Sequence, residues 1–116
     1  MIDRRRPRRG RRAPHGLSIS DAGTGVIHLA GELDAASAPR LRRRLVSGTR
    51  VRVIDMEHVT FIDCRGLSVL VAANRDRPTS EPITLQAPSG CVLRLLHLCG
   101  LGATFNVSGS AHGTGT

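Results

Sequence analysis

The chain has 116 residues and a formal net charge of +8, and 40% of its residues are apolar, which suits a single domain with one core. All 17 basic residues are arginine, which excludes chemistry that needs a lysine, such as phosphate binding by a P-loop or Schiff-base formation. Because the chain has no tryptophan or tyrosine and only 2 phenylalanines, its core must be aliphatic, and its apolar runs are too short to cross a bilayer.

The first segment, residues 1–16, carries seven arginines and one acid, so most of the net charge belongs to it. A block of like charge that contains proline and glycine repels itself and buries nothing, which predicts a disordered tail. No apolar segment follows these arginines, so we expect no secretory signal, a cytoplasmic location and no contact with a membrane. The arginines within residues 4–12 also suggest an alternative function, in which the tail binds the phosphates of a nucleic acid.

A domain is predicted over residues 17–108, followed by a flexible tail at 109–116. Apolar alternation predicts its strands, and apolar residues three and four positions apart predict its helices. In chain order the predicted elements are a strand at 17–20, a strand at 26–33, a helix from Ser37 to Gly48, a strand at 50–56, a strand-like segment at 59–62 that leads into a helix at 64–74, a strand at 83–87, a helix from Ser89 to Gly100 and a strand at 103–107.

The alternation of strands and short helices predicts the fold class. Helices between strands imply right-handed crossovers and therefore a mostly parallel sheet, to which the first two strands add an antiparallel pair. The predicted class is α/β, with a small mixed, mostly parallel sheet of four or five strands. In the second strand Ile27 and Leu29 are expected on one face, with His28 on the other. Ser37 and Ser89 are the predicted N-caps of their helices.

Residues 59–70, "VTFIDCRGLSVL", pass from a strand to a helix and carry four unusual residues at the junction. Asp63 is placed to cap the helix through a backbone amide two or three residues on. Gly66 costs helix propensity, which is understandable if another backbone must approach closely. Cys64 would lie at the positive end of the helix dipole beside Arg65, an environment that favours a reactive thiol.

The junction is one of two predicted strand ends that carry acids. Glu32 and Asp34 accompany the end of the second strand, and the carboxyl ends of parallel strands are where ligands bind in open α/β sheets. A hydrolase with paired acids would have this pattern, but no histidine or metal-binding motif supports one, and we predict no catalytic residue, metal or cofactor. Cys91 and Cys99 are separated along one helix by too much for a disulfide.

At three places the sequence resembles the STAS domains of bacterial anti-sigma-factor antagonists. The matching motifs are G-E-L-D at residues 31–34, F-I-D-x-x-G-L at 61–67 and L-x-L-x-G-L-x-x-x-F at 96–105. The resemblance implies a small sheet with helices packed mainly on one side, and a monomeric binding protein rather than an enzyme. It implies a partner, a serine-kinase anti-sigma factor with a histidine-kinase-like ATPase fold, whose capture frees a sigma factor for transcription.

The resemblance also implies partner switching, in which the kinase phosphorylates a serine or threonine directly after the junction aspartate. This chain has Cys64 at that position, followed by the bulky cation Arg65, so we expect binding that phosphorylation does not control. Ser68, one turn further on, is a poor substitute acceptor because its backbone setting differs. The residues expected to contact the partner are Glu32, Asp34, Asp63, Cys64, Arg65, Gly66 and Leu67.

A third hypothesis remains open beside partner binding and nucleic-acid binding. If Cys64 were the thiol of a redox sensor, alkylating reagents would label it selectively over Cys91 and Cys99. The odd number of cysteines, 3, and the absence of a secretory signal indicate free thiols in a reducing compartment.

Overall fold

The computed structural model describes residues 16–21, 23–78 and 80–109. The two predicted tails lie outside these residues except for Gly16 and Gly109. The elements in chain order are β1 (Leu17–Asp21), β2 (Val26–Leu33), α1 (Ala38–Val46), β3 (Val53–Ile62), α2 (Cys64–Arg75), β4 (Thr84–Gln86), α3 (Gly90–Leu98) and β5 (Asn106–Ser108). Within the described ranges no helix is long and apolar enough to span a membrane.

The five strands form one sheet in the order β1-β2-β3-β4-β5. β1 and β2 pair antiparallel, and the other three pairs are parallel because a helix connects each of them across one face of the sheet. The predicted α/β class with a mixed, mostly parallel sheet is therefore confirmed.

One face of the sheet carries the core. In β2, Ile27 and Leu29 are buried while His28 is exposed, as the alternation predicted. Aliphatic side chains from all three helices join those of the strands in a single cluster, so the helices cover this face. The helix residues in that cluster are Leu41, Leu67, Leu70, Val92 and Leu96.

β3 begins three residues later than the strand predicted at 50–56, but it continues through the segment at 59–62 and forms one ten-residue strand. Its pairing with β2 is shifted twice, and each shift adds one residue to β3: His28 pairs with Asp55 but Ala30 with His58, and Gly31 with Val59 but Glu32 with Phe61. These β-bulges interrupt the period-two pattern, so the buried residues fall at Ile54, Met56, Val59 and Ile62. At the first bulge, Glu57 and His58 are both exposed, and two consecutive polar residues are typical of the end of a strand.

The last strand is shorter than predicted. Residues 103–105 belong to a turn, in which the amide of Thr104 donates to the carbonyl of Leu101 (3.0 Å), and Phe105 reaches the core from this turn. Only Asn106–Ser108 remain to pair with β4. Phe105 is therefore buried beside the strand without belonging to it, whereas Thr104 is exposed in the turn.

Candidate functional site

The candidate site lies at the edge of the sheet where β2 and β3 end. Leu33 and Ile62, the last residues of these strands, are partners in the parallel ladder, so Asp34 and Asp63 follow at equivalent positions. The amide of Asp63 donates to the carbonyl of Leu33 at 3.2 Å and continues the ladder by one bond. Parallel pairing thus brings the two predicted acidic strand ends together.

Both aspartates line one shallow cleft of about 620 Å³, which we call the acidic cleft. Its lining residues are Glu32, Asp34, Ala35, Ala36, Phe61 and Asp63. Phe61 is 46% exposed, which is unusual for a phenylalanine in a strand. The sequence analysis did not select Phe61, because its orientation depends on the bulge between Val59 and Phe61 that alternation does not reveal.

Asp63 caps α2, as predicted. Its backbone is extended, and its Oδ1 accepts a hydrogen bond from the amide of Gly66 at 3.0 Å. The carbonyl of Asp63 in turn accepts from the amide of Leu67 at 2.9 Å. The carboxylate thereby satisfies an amide that the first turn of a helix leaves without a partner, and its charge opposes the positive end of the dipole.

Asp34 stabilises the turn between β2 and α1. Its Oδ1 accepts from the amides of Ala36 and Ser37, both at 3.1 Å. Ser37 occupies the N-cap position of α1, as predicted, but its side chain makes no capping hydrogen bond. Its hydroxyl is buried, donates to the carbonyl of Glu32 at 2.7 Å and accepts from the amide of Asp34 at 3.0 Å.

Ser89 shows the same difference between position and bonding. It occupies the N-cap position of α3 without a side-chain capping bond. Its hydroxyl donates instead to the carbonyl of Val59 at 2.9 Å, which ties α3 to the bulged part of β3. In both cases the serine hydroxyl bonds a carbonyl of a strand instead of an amide of its own helix.

Gly66 allows another backbone segment to lie close to the start of α2. That segment is the end of β2 in this same chain. A Cβ at this position would lie 2.4 Å from the carbonyl oxygen of Leu33 and 2.6 Å from its Cγ. The start of α2 is therefore pressed against the end of β2. Gly66 and Leu67 are both buried, so they shape the site from beneath its surface.

Cys64 and Arg65 are exposed at the first two positions of α2, directly after Asp63. Ser68 is also exposed, but its hydroxyl donates to the carbonyl of Cys64 at 2.8 Å and so returns to its own helix. Cys64, Cys91 and Cys99 are all free thiols, and Cys91 is the least accessible of them. The exposed part of the site therefore consists of the Cys64 thiol, the Arg65 guanidinium, the Phe61 ring and the acidic cleft.

The carboxylates of Asp34 and Asp63 have a structural role, because they accept hydrogen bonds from the backbone. The Oδ1 atoms of Asp34 and Asp63 are each engaged by backbone amides. No histidine lines the acidic cleft, and the described part of the chain contains no group of three or more residues able to hold a metal ion. Glu32, Asp34 and Asp63 give this edge of the sheet negative charge, and hydrogen bonds hold the carboxylates of Asp34 and Asp63 in place.

Comparison with known proteins places this arrangement in a family. A family model described as "Mlab, STAS domain" matches residues 17–107. The anti-sigma-F factor antagonist RsfB of Mycobacterium tuberculosis is 27% identical over 107 residues, which cover 86% of this chain and 88% of RsfB. An anti-sigma-B factor antagonist of Listeria monocytogenes is 33% identical over 95 residues, or 75% of this chain and 83% of that protein.

Solved structures agree with these relatives. The crystal structure of an anti-sigma factor antagonist from Mycobacterium paratuberculosis superposes with a TM-score of 0.69 at 27% identity, and covers 83% of this chain and 88% of its own. The unphosphorylated form of the antagonist SpoIIAA shares the fold, with a TM-score of 0.59 at 20% identity over 79% of this chain and 87% of its own. Since the family model spans the whole sheet and all three helices, the chain belongs to the STAS domain family of anti-sigma-factor antagonists.

Proposed function

We propose that this protein is an anti-sigma-factor antagonist that binds a serine-kinase anti-sigma factor and so frees a sigma factor. The observation that carries the proposal is the exposed start of α2, where Cys64 follows the capping residue Asp63 beside the acidic cleft. The names of the relatives, which are anti-sigma-F and anti-sigma-B factor antagonists, support the same activity. The protein acts by binding, as a monomer in the cytoplasm, and catalyses no reaction.

The proposed partner surface consists of residues that differ in role. Glu32, Asp34 and Asp63 supply negative charge, and Cys64 and Arg65 supply exposed contact area. Gly66 and Leu67 are buried and hold the start of α2 in position. A partner with a complementary basic patch would be steered to this edge of the sheet.

Cys64 makes the proposed antagonist independent of phosphorylation. A phosphate on a hydroxyl at this position would add nearly two negative charges and a bulky group at the start of α2, which an acidic or closely packed surface of the partner would not accommodate. A thiol does not accept the phosphate of a kinase built for a hydroxyl. Ser68 does not replace it, because its hydroxyl is bonded to the backbone of its own helix. The antagonist would therefore remain competent to bind at all times.

The test is a pull-down from the native cell with three full-length baits, namely the wild type, Cys64→Ser and Cys99→Ser, in ATP or ADP. Cys99→Ser is the matched control, because Cys99 is also an exposed free thiol but lies far along the chain from the site. We expect all three baits to capture a histidine-kinase-like ATPase, identified by mass spectrometry. In ATP, only Cys64→Ser should gain phosphate and release the ATPase.

Two results would count against the proposal. Failure of every bait to capture such an ATPase would show that the fold has been retained while the partner has changed. Phosphate on Ser68 of the wild type, with release in ATP, would preserve the partner but contradict phosphorylation-independent binding.

A further inference from the structure

A second concave surface lies between α1 and α2, outside the acidic cleft. It encloses about 480 Å³, and we call it the α1–α2 groove. Its floor includes Val46, Val69 and Ala72, and three arginines, Arg42, Arg43 and Arg65, stand around it. Val46 is 73% exposed, so the groove presents apolar surface to water.

The arginines of α1 divide into two pairs with different surroundings. Arg40 donates to the carbonyl of Leu17 at 2.6 Å, and Arg44 is paired with Asp21, so these two bind α1 to β1. Arg42 and Arg43 both line the groove beside α2, and Arg43 also borders the concave surface on the β1 side that Arg40 and Arg44 line. Within the described ranges neither Arg42, Arg43 nor Arg65 forms an ion pair or a side-chain hydrogen bond, and all three are exposed. The groove thus combines an apolar floor with three guanidinium groups that find no side-chain partner among the described residues.

We propose that the α1–α2 groove binds an acidic amphipathic helix of a protein partner. Apolar side chains three and four residues apart on such a helix would fill the floor, and its flanking carboxylates would meet the arginines at the rim. Arginine is well suited to this role because its planar donors engage a carboxylate at two points. The small side chain of Ala72 allows the backbone of the incoming helix to come close.

Other polyanions fit the groove less well. A bilayer is locally flat and would contact the arginines at the rim without reaching the floor, whereas surfaces that bind membranes project their apolar side chains outward. A nucleic acid would engage the arginines, but the aliphatic floor offers its bases no aromatic ring for stacking. The combination of a concave apolar floor and a cationic rim therefore favours an acidic helix.

The test uses a fluorescent synthetic peptide of about sixteen residues, with leucines at helical spacing and glutamates beside them, and a scrambled peptide of the same composition. Binding to the full-length protein is measured by fluorescence anisotropy. Arg42→Glu with Arg43→Glu should weaken binding about tenfold or more, since two ion pairs become repulsions. Val46→Ser tests the floor and should weaken binding severalfold without changing charge. The scrambled peptide should bind more weakly than the patterned one.

The matched control is Arg75→Glu with Arg94→Glu, which changes the net charge equally at exposed helix positions outside the groove. It should alter affinity by no more than about twofold. If both double variants lose the same affinity for the peptide, the interaction is general charge attraction and the proposal is overturned. Equal binding of the patterned and scrambled peptides, or no binding of either, would also overturn it. Arg42- and Arg43-dependent binding of phosphatidylglycerol vesicles in place of the peptide would assign the groove to a membrane and also overturn it.

This inference and the proposed function fail separately. Arg65 belongs to both surfaces, but the substituted residues Arg42 and Arg43 lie outside the proposed anti-sigma-factor surface, and the peptide assay contains no anti-sigma factor. Capture of the ATPase with no peptide binding would contradict only the groove, and the reverse result would contradict only the antagonist.

Discussion

Gly66 is a residue at which helix propensity and packing oppose each other. Alanine would gain up to about 1 kcal/mol of helix propensity at this position. Its Cβ, however, would lie 2.4 Å from the backbone oxygen of Leu33, which has no room to move because it bonds the amide of Asp63. We expect Gly66→Ala to lower the free energy of unfolding by about 1–3 kcal/mol, as overpacking does.

Gly102 provides the matched control for that experiment. A Cβ at Gly102 would have no atom within 4 Å, and its φ is not positive. Gly102→Ala should therefore leave stability unchanged or raise it by a few tenths of a kcal/mol, through the unfolded state. Chemical denaturation followed by circular dichroism measures both variants. Equal stability of Gly66→Ala and the wild type would show that α2 shifts away from β2 without cost.

Asp63 allows its capping bond to be separated from its charge. Asp63→Ala removes the acceptor of the Gly66 amide and should cost about 0.5–2 kcal/mol of stability. Asp63→Asn retains an oxygen that can accept the same bond, so it should keep most of that stability. Thermal unfolding of the two variants makes the comparison. If asparagine costs as much as alanine, the charge at the helix dipole rather than the hydrogen bond stabilises this helix start.

At the scale of elements, Asp21 links β1 to α1. The Arg44 side chain donates to its carboxylate, the amide of Gly23 donates at 2.8 Å, and together they hold the pKa of Asp21 below its ordinary value. A carboxyl whose pKa is lowered by folding stabilises the fold above its unfolded pKa, about 3.9, and loses that contribution as pH falls through the folded pKa. The link between β1 and α1 should therefore weaken in acid.

The corresponding experiment compares the wild type with Asp21→Asn from neutral pH downward. The difference in melting temperature between them should be greatest above about pH 5 and should shrink below about pH 4, as the wild-type carboxyl becomes protonated. Asp76→Asn, which removes an exposed aspartate at the end of α2, serves as the control. A difference that stays constant down to about pH 2 would contradict the assigned role of the Asp21 charge.

The sequence was sufficient for elements in which local pattern and tertiary environment agree. Ile27 and Leu29 alternate with His28 in β2, and Asp63 begins α2 where a capping residue was expected. It was insufficient where tertiary contacts override the local pattern. The bulges of β3 displace Val59 and Ile62 from a period of two, and the hydroxyl of Ser37 bonds a strand carbonyl instead of its own helix. Bulges and long-range hydrogen bonds depend on the neighbouring strand, which a local window does not contain.

Some features of the candidate site could likewise be predicted from the sequence, and others could not. The meeting of Asp34 and Asp63 follows from parallel topology, which the order of strands and helices predicts. The exposure of Phe61 does not follow from it, and neither does the lack of an ion pair for Arg42 within the described ranges. They depend on a bulge and on the rotation of α1 about its own axis, respectively. Arg42 differs from its neighbour Arg44 only by the side of α1 on which it lies.

The whole molecule has one aliphatic core to which every helix contributes, so it should unfold as a single cooperative unit. Leu70 is fully buried in that core, and Leu70→Ala should lower stability by about 2–5 kcal/mol. Far-UV circular dichroism and calorimetry should give the same melting temperature for the wild type and a common lower one for the variant. Separate transitions by the two probes would mean that part of the fold, such as the short β4–β5 edge, melts independently.

The exposed ring of Phe61 has a spectroscopic consequence. Because the chain contains no tryptophan or tyrosine, Phe61→Trp would introduce the sole indole, placed within the acidic cleft. Its emission would shift to shorter wavelength when a docked protein excludes water from the cleft, and would stay unchanged when a ligand fills the α1–α2 groove. One substitution would thus make the two surfaces optically distinguishable in the same cuvette.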